Sequence, residues 1–431
     1  MKYFAFPARI SFILEIFLLL LQPKNIRIMA LINREQYTDK VLNFIGKGLI
    51  VVLTGQRRVG KSCILKCAME ALKSQDKEAN IIYINKEFVE FRNIKSDLDL
   101  SAFVAKHICP KRKNYLFIDE VQDIDSFENT LRDLQAREVC DIIITGSNAK
   151  MLSSELATYL SGRYVEIHIN SLGYNEFLTF HQLSDNDQSL CSYLTYGGLP
   201  QLAQIGLDNK ELVRNYLSDV YNTVIMKDVV SRESIRNPRF LQDLVYFLAD
   251  SMGKNISALS ISKYMKSQNI TVSSSLVANY MNFLCNAYIV DKVPRYNIHG
   301  KHLFDTNEKY YFADTGLRNL LSGFNLLTDI ERLLENAVYH KLIQSGYNVT
   351  VGQLQKAEID FVAERAGDRM YIQVCYLLSS QETIDREFGN LHKIDDQYPK
   401  IVVSMDPLFA DSHQQGVRSL NIRQFLMGTS I

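Results

Sequence analysis

The chain has 431 residues, and its 48 Lys and Arg are balanced by 48 Asp and Glu, so no net formal charge remains at pH 7. That balance argues against a globally basic nucleic-acid coat or an acidic solvating tail, while the length allows two or three domains with cores of their own. The seven cysteines (63, 67, 109, 140, 191, 285 and 375) include no C-x-x-C pair, which points away from a metal or disulfide framework and toward a reducing cytoplasm.

In chain order, residues 1–28 come first. Ile10 to Leu21 is strongly apolar, but it is too short to span a bilayer and contains Glu15. No small-x-small cleavage site follows before Pro23. Met29 opens a cleaner start, so 1–28 is read as an N-terminal extension with a mis-assigned start, against the alternative of an anchor. Stable membrane insertion is not expected.

Leu49–Leu53 reads as a buried strand, and Gly55-Gln56-Arg57-Arg58-Val59-Gly60-Lys61-Ser62 follows it, matching G-x-x-x-x-G-K-[ST]. A helical pattern continues from Cys63, with Ile64, Leu65, Ala68 and Leu72 on one face. Strand, loop and helix in that order form a phosphate site. The glycines let backbone N–H groups and the helix N-terminus face phosphate oxygens. Lys61 then reaches the β- and γ-phosphates, and the Ser62 hydroxyl binds Mg²⁺. Gly55 to Cys63 is thus the expected ATP-binding stretch. Arg57 and Arg58 are either phosphate contacts or solvated loop charges. Cys63 and Cys67, one turn apart, read as small core residues.

Strand and helix signals alternate from there to residue 170: strands at Ile81–Ile84, Tyr115–Asp119, Ile142–Thr145 and Val165–Ile169, helices at Leu98–Ile108 and Phe127–Arg137. This is an α/β pattern, a parallel sheet covered by helices on both faces with its chemistry at the strands' C-terminal ends. Asp119 closes one strand where it can hold the Mg²⁺ shell, and Glu120 can orient the attacking water. Ser147, in Thr145-Gly146-Ser147-Asn148, either senses the γ-phosphate or caps the next helix.

The segments GQRRVGKS, LFIDEVQ, ITGSNAKMLSSELATYLSGR and YLTYGGLP together resemble the AAA-type (AAA+) P-loop ATPases of bacteria and archaea that carry a C-terminal domain of uncharacterised function. The resemblance runs from about residue 30 to the C-terminus. It implies an ATPase core over 29–170 and a helical lid over 171–239. It also implies that Arg163 is a nucleotide-sensing arginine or a finger reaching a neighbouring subunit of a homo-oligomer. A surface ion pair is the other reading of Arg163.

Residues 240–312 read as three helices and a hairpin, Ile289–Tyr296 against His302–Phe312, the plan of a winged helix. Lys254, Lys263, Lys266, Lys292, Arg295 and Lys301 outnumber nearby acids, but the third helix, Ser274–Tyr288, holds no Lys or Arg. DNA and a protein are therefore both candidate partners. Residues 313–431 give a helix with Glu335, strands, a helix and a strand, and with Glu358-Ile359-Asp360-Phe361 they resemble the PD-(D/E)XK restriction-endonuclease-like fold. In that family two acids hold a metal and a lysine on the next strand assists the attacking water. Here Asp360 and Glu335 match the acids, but Gln373 and Cys375 stand where an acid and the lysine belong. That departure argues against cleavage, and Lys356 is the main candidate for a substitute cation. The expected function is Mg²⁺-dependent hydrolysis of ATP coupled to a macromolecular partner. The alternatives are a regulatory nucleotide switch that recruits a protein and an ATP-controlled nuclease.

Overall fold

The computed structural model describes residues 32–149, 159–231, 233, 235, 237–300, 302–303, 307–354 and 357–428. The extension 1–28, Lys301 and Lys356 lie outside the described residues.

Helix α1 (Glu35–Phe44) leads to β1 (Ile50–Thr54), and the phosphate loop connects β1 to α2 (Lys61–Gln75). Then follow β2 (Asn80–Asn85), α3 (Asp97–His107), β3 (Asn114–Asp119), α4 (Phe127–Ala136), β4 (Asp141–Thr145) and β5 (Tyr164–His168). The strands form a five-stranded parallel sheet in the order β2-β3-β4-β1-β5. Strand alternation sends Val51, Leu53, Phe117 and Ile143 into one apolar layer and Ile50, Val52, Leu116, Ile118, Ile142 and Ile144 into another. Helices α1 and α2 cover the first layer with Tyr37, Val41, Ile64, Leu65, Ala68 and Leu72, and α3 and α4 cover the second with Leu100, Val104, Phe127 and Leu131. Burial on both faces explains why these strands read as unbroken apolar runs. Ser96 starts α3 sharply through a reciprocal capping box with Asp99.

A set of helices comes next: α5 (Tyr174–His181), α6 (Asp187–Tyr196) and α7 (Lys210–Thr223), which continues as a π-helical segment, Val224–Ser231. Beyond it lie α8 (Pro238–Asp250), α9 (Ala258–Ser267) and α10 (Ser274–Asn286). Helix α8 begins at an Asn237 cap with Pro238 in its first turn, and Ser273 caps α10 through the Leu276 amide.

The expected hairpin is split. Strands β6 (Val290–Val293) and β9 (Lys309–Phe312) pair as a two-stranded ribbon, while β7 (Arg295–Asn297) and β8 (His302–Leu303) leave it to join the next sheet. Pro294 is the physical reason. It has no N–H to continue the ladder with β9, and its carbonyl instead accepts from Val351 N at 2.9 Å.

Helices α11 (Thr315–Ser322) and α12 (Leu326–Gln344) precede β10 (Asn348–Leu354), β11 (Ala357–Arg365), β12 (Asp368–Cys375), α13 (Gln381–His392) and β13 (Lys400–Ser404). The chain closes with β14 (Ser412–Gln414), β15 (Val417–Asn421) and α14 (Ile422–Met427). Eight strands form a mixed sheet in the order β14-β15-β13-β12-β11-β10-β7-β8. One contiguous apolar cluster runs from the α1 face of the first sheet through α5, α6, α8 and α12 to Ile372, Val403 and Phe425 near the C-terminus. Among the described residues, no helix is long and apolar enough to cross a membrane.

Candidate functional site

The phosphate loop is built where β1 ends. Gly55 has φ +130°, and a Cβ on it would meet the Ile169 carbonyl oxygen at 2.2 Å, so only glycine fits. Gly60 has φ +101° and opens α2 from the left-handed region. Between them, Arg58 N donates to Gln56 O at 2.8 Å, tightening the turn. The back of the loop is held by a residue the sequence reading passed over. The buried Arg34 guanidinium donates to Val59 O at 3.1 Å and Asn170 O at 2.7 Å and pairs with Glu176 at 2.7 Å.

Lys61 is buried, and its ammonium donates to Gly55 O at 2.8 Å and Gln56 O at 2.9 Å. Burial pushes its pKa down to about 8; the Glu120 charge opposes the shift and Arg57 adds to it. The Gln56 side chain is buried with neither its oxygen nor its nitrogen partnered. Val59 is buried, Arg58 and Cys63 are exposed, and Ser62 is half-buried. Cys63 thus departs from the expectation of a core residue, because the first turn of α2 stands at the sheet edge; Cys67 is buried as expected.

Asp119 and Glu120 lie at the neighbouring strand end, and one hydroxyl holds both. Thr145 Oγ1 donates to Asp119 Oδ1 at 2.6 Å and accepts from Glu120 N at 2.9 Å. Asn85 Nδ2 donates to Asp119 Oδ2 at 3.1 Å. Glu120 adopts φ 58°, a left-handed conformation that turns its carboxylate away from the strand path. Its Oε2 accepts from Ser147 Oγ at 3.3 Å and from Gln122, and Arg57 stands 3.9 Å away. Ser147 is fully buried beside Glu120. Lys61, Ser62, Asp119, Glu120 and Ser147 therefore share one sheet edge.

Arg163 does not join them. It immediately precedes β5, its carbonyl accepts from Ile50 N at 2.9 Å, and Ile50 to Thr54 run in register with Tyr164 to His168. The five residues of β1, roughly 17 Å at about 3.3 Å each, separate it from this chain's own phosphate loop. The expectation of a sensing arginine at the same site is corrected on that ground.

Arg57 is buried, and its Nε and Nη2 meet Asp228 Oδ2 and Oδ1 at 2.9 and 3.1 Å. Burial lowers its pKa, and the hydrogen bonds and charge of Asp228 more than reverse this, leaving it raised. Asp228 had no signal in the sequence, since it stands beside Lys227 within an otherwise apolar stretch far from the phosphate loop.

A second polar cluster lies in the C-terminal part. Lys309 Nζ, on β9, stands 2.7 Å from Glu335, 2.8 Å from Glu358 and 3.6 Å from Asp360. Tyr311 also donates to Glu335, and Asp360 Oδ2 accepts from Val374 N at 2.8 Å. Gln373 Oε1 accepts from Asp360 N at 3.2 Å. Burial, with the Glu335 charge, pushes Asp360 up to about 8 against the pull of Lys309. Burial also pushes the Cys375 thiol up. The sequence offers a cation for Asp360 only at Lys356, with Cys375 in the lysine position on β12, whereas the fold supplies one from β9. Among the described residues no group of His, Cys, Asp or Glu has metal-holding geometry.

An AAA domain family matches residues 47–178, and a domain of unknown function matches residues 187–328. An uncharacterised protein of Haemophilus influenzae is 34% identical over 381 residues, 87% of this chain and 94% of its own length. An uncharacterised protein of Methanocaldococcus jannaschii is 30% identical over 347 residues, 77% of this chain and 75% of its own. Among solved structures, a Walker-type ATPase of Pyrococcus abyssi is similar with a TM-score of 0.48 and 16% identity, over 67% of this chain and 95% of that one. The phosphate loop, its paired acids and the AAA domain match define an AAA-type P-loop protein. The chain belongs to the family of AAA-domain proteins that includes the Haemophilus and Methanocaldococcus relatives.

Proposed function

We propose that the protein is a cytoplasmic Mg²⁺-dependent ATPase that converts ATP to ADP and phosphate and couples this to a macromolecular partner. One observation carries the reading: a glycine-shaped loop bearing Lys61 and Ser62 stands at the same sheet edge as Asp119 and Glu120, both fixed by Thr145. The donor set suits a triphosphate with its metal. Lys61 and the loop amides would hold the phosphates, and Ser62 and Asp119 would hold Mg²⁺, which supplies charge neutralisation when bound. The orphaned Gln56 side chain gives the buried loop further polar capacity. Glu120 orients the attacking water and takes up its proton.

Helices α8 to α10 with the β6–β9 ribbon form the proposed winged-helix unit, and the sheet from β10 to β13 with α12 and α13 forms the proposed endonuclease-like unit. The exposed outer positions of α10 are Ser274, Ser275, Asn279 and Asn282, which carry no cation for phosphate contact. That observation favours the second reading, a slow nucleotide switch whose partner is a protein. Cleavage of DNA is not part of the proposal, because the Lys309 ammonium already stands among Glu335, Glu358 and Asp360. Arg163 enters only as a contact to another copy of the chain in a homo-oligomer.

Phosphate release measured with and without duplex DNA tests the proposal. DNA-stimulated turnover supports a DNA-coupled ATPase, and turnover indifferent to DNA supports the switch. Lys61→Ala should lose tight ATP binding with the fold intact, since the loop's point charge is gone; equal affinity for wild type and variant in calorimetry refutes the site.

A further inference from the structure

Helices α6 and α7 bound an open groove of about 440 Å³, within the range of about 300–1,000 Å³ usual for binding sites. One wall is α6, which presents Gln188, Cys191 and Thr195, three and four residues apart and therefore on one face. The other is α7, which presents Lys210, Val213 and Arg214 with the same spacing. Tyr196 and Phe324 add aromatic surface, their rings 6.3 Å apart. Phe324 comes from the turn before α12 and is 38% exposed, so part of this apolar surface faces solvent.

The charge of the groove is one-sided. Lys210 and Arg214 are both exposed and stand one turn apart on α7, a like-charge spacing that weakens a helix. Lys210 is also the first residue of α7, where the helix dipole disfavours a cation. Among the described residues neither forms an ion pair, and no Asp or Glu lines the groove. Two unfavourable placements thus sit on one wall with nothing in the chain to offset them. An anionic group from outside would offset both. Nucleic acid is a poor fit, since two cations neutralise few phosphates and salt-stable binding needs many. A carboxylate beside an apolar side chain suits both features, in the manner of a segment laid into a groove between helices. Helix α7 also runs without a break into Val224–Ser231, whose Asp228 contacts Arg57 of the phosphate loop.

We propose that this groove is the docking site for a protein partner, which inserts a short segment carrying an aspartate or glutamate beside an aliphatic or aromatic residue. The inference rests on the protein-partner reading of the proposed function and names the chemistry of that partner. It does not depend on hydrolysis.

The test pans a display library of random linear dodecapeptides on the full-length protein, nucleotide-free and with AMPPNP, and measures synthesised winners by fluorescence anisotropy. Winners should carry an acidic residue within one helical turn of a Leu, Ile, Phe, Tyr or Trp. The double charge reversal Lys210→Glu with Arg214→Glu should weaken them at least about tenfold, and Lys210→Arg should bind like wild type. A bound winner should shield Cys191 from alkylation, read by peptide mass mapping. Lys210→Glu places an acid at the helix N-terminus and removes the like-charge pair, so its thermal midpoint should equal or exceed that of wild type. Loss of peptide binding without loss of stability is what a merely structural role for these cations does not predict. Phe324→Ala, at a partly exposed position, gives a second route to weakened binding. Absence of acidic–apolar winners, or equal affinity for wild type and the double variant, overturns the proposal. A DNA oligonucleotide whose binding is lost in the double variant makes the groove a nucleic-acid site and overturns it too. So does a dimer in gel filtration that the double variant dissociates, since the occupant is then a second copy. Phosphate release is measured alongside and should be the same in both variants and wild type. Failure of wild type to turn over ATP would sink the ATPase reading, while the peptide measurement would still decide the groove.

Discussion

Thr145 fixes both acids of the site, and replacing it by valine removes one hydroxyl at nearly constant volume. Two buried groups then lose their partner at once: Asp119 Oδ1, which had accepted at 2.6 Å, and the Glu120 amide, which had donated at 2.9 Å. Orphaning a buried polar group costs about 1–3 kcal/mol. Asp119 keeps Asn85 on its other oxygen, so we expect a total near the lower half of the sum, about 2–4 kcal/mol. Turnover should fall further than stability suggests. The left-handed turn at Glu120 depends on its amide being held, and a displacement of order 1 Å at a catalytic carboxylate costs roughly 10- to 100-fold. The assay pairs urea or thermal unfolding midpoints with phosphate release at saturating ATP. Thr145→Ser, which keeps the hydroxyl, should recover most of both. If Thr145→Val unfolds and turns over like wild type, the hydroxyl does not organise the two acids and the argument is refuted.

Glu120→Gln should bind ATP normally and hydrolyse it at least about tenfold more slowly; a wild-type rate reduces Glu120 to a neighbour of Asp119. Lys61 sets a pH dependence. Its pKa is depressed to about 8 in the empty site, while bound phosphate favours the charged form, so ATP affinity should be flat below pH 8 and decline above it by up to about tenfold per unit. Calorimetry in buffers of different ionisation heat should show proton uptake on binding above pH 8 and none near pH 6. The same depression is a stability cost present in full below pH 8 and lost as the pH rises toward the ordinary lysine value, since the unfolded chain binds the extra proton in that window. Plasmid DNA incubated with Mg²⁺ or Mn²⁺, with or without ATP, should remain uncut, and nicking that disappears in Asp360→Ala would reverse that conclusion.

The candidate nucleotide site was legible because its parts are local in sequence. Gly55 to Ser62 lie on one turn, and Asp119 with Glu120 closes an apolar run that cannot be mistaken for a helix end. What could not be read are the residues that reach the site from elsewhere. Arg34 and Glu176 are 142 positions apart, and Arg57 and Asp228 are 171 apart. No periodicity reports such pairings. Arg163 shows the opposite failure: the motif around it was visible, but only the strand register reveals that it stands at the far end of β5. Lys309 was read as part of a hairpin strand, where it looks like any exposed lysine. Its burial among three acids follows from the ribbon lying against α12 and β11. Pro294, by contrast, did announce the split of the hairpin, and treating Ile289–Tyr296 as one strand overlooked it.

That split has a mechanical consequence. Residues 290–312 give one pair of strands to a separate ribbon and another pair to the edge of the eight-stranded sheet, through a single prolyl residue. The three-helix unit and the C-terminal sheet are therefore stitched by two parallel seams set apart by one peptide unit, which is a weld and not a flexible tether. A twist applied to α8–α10 is delivered to the β7–β10 seam with little slack, and Lys309, at the end of the ribbon, is carried with it. Expressing the C-terminal part from residue 313 would tear both seams and strip β10 of its edge partner. A fragment that begins before α8 keeps them whole.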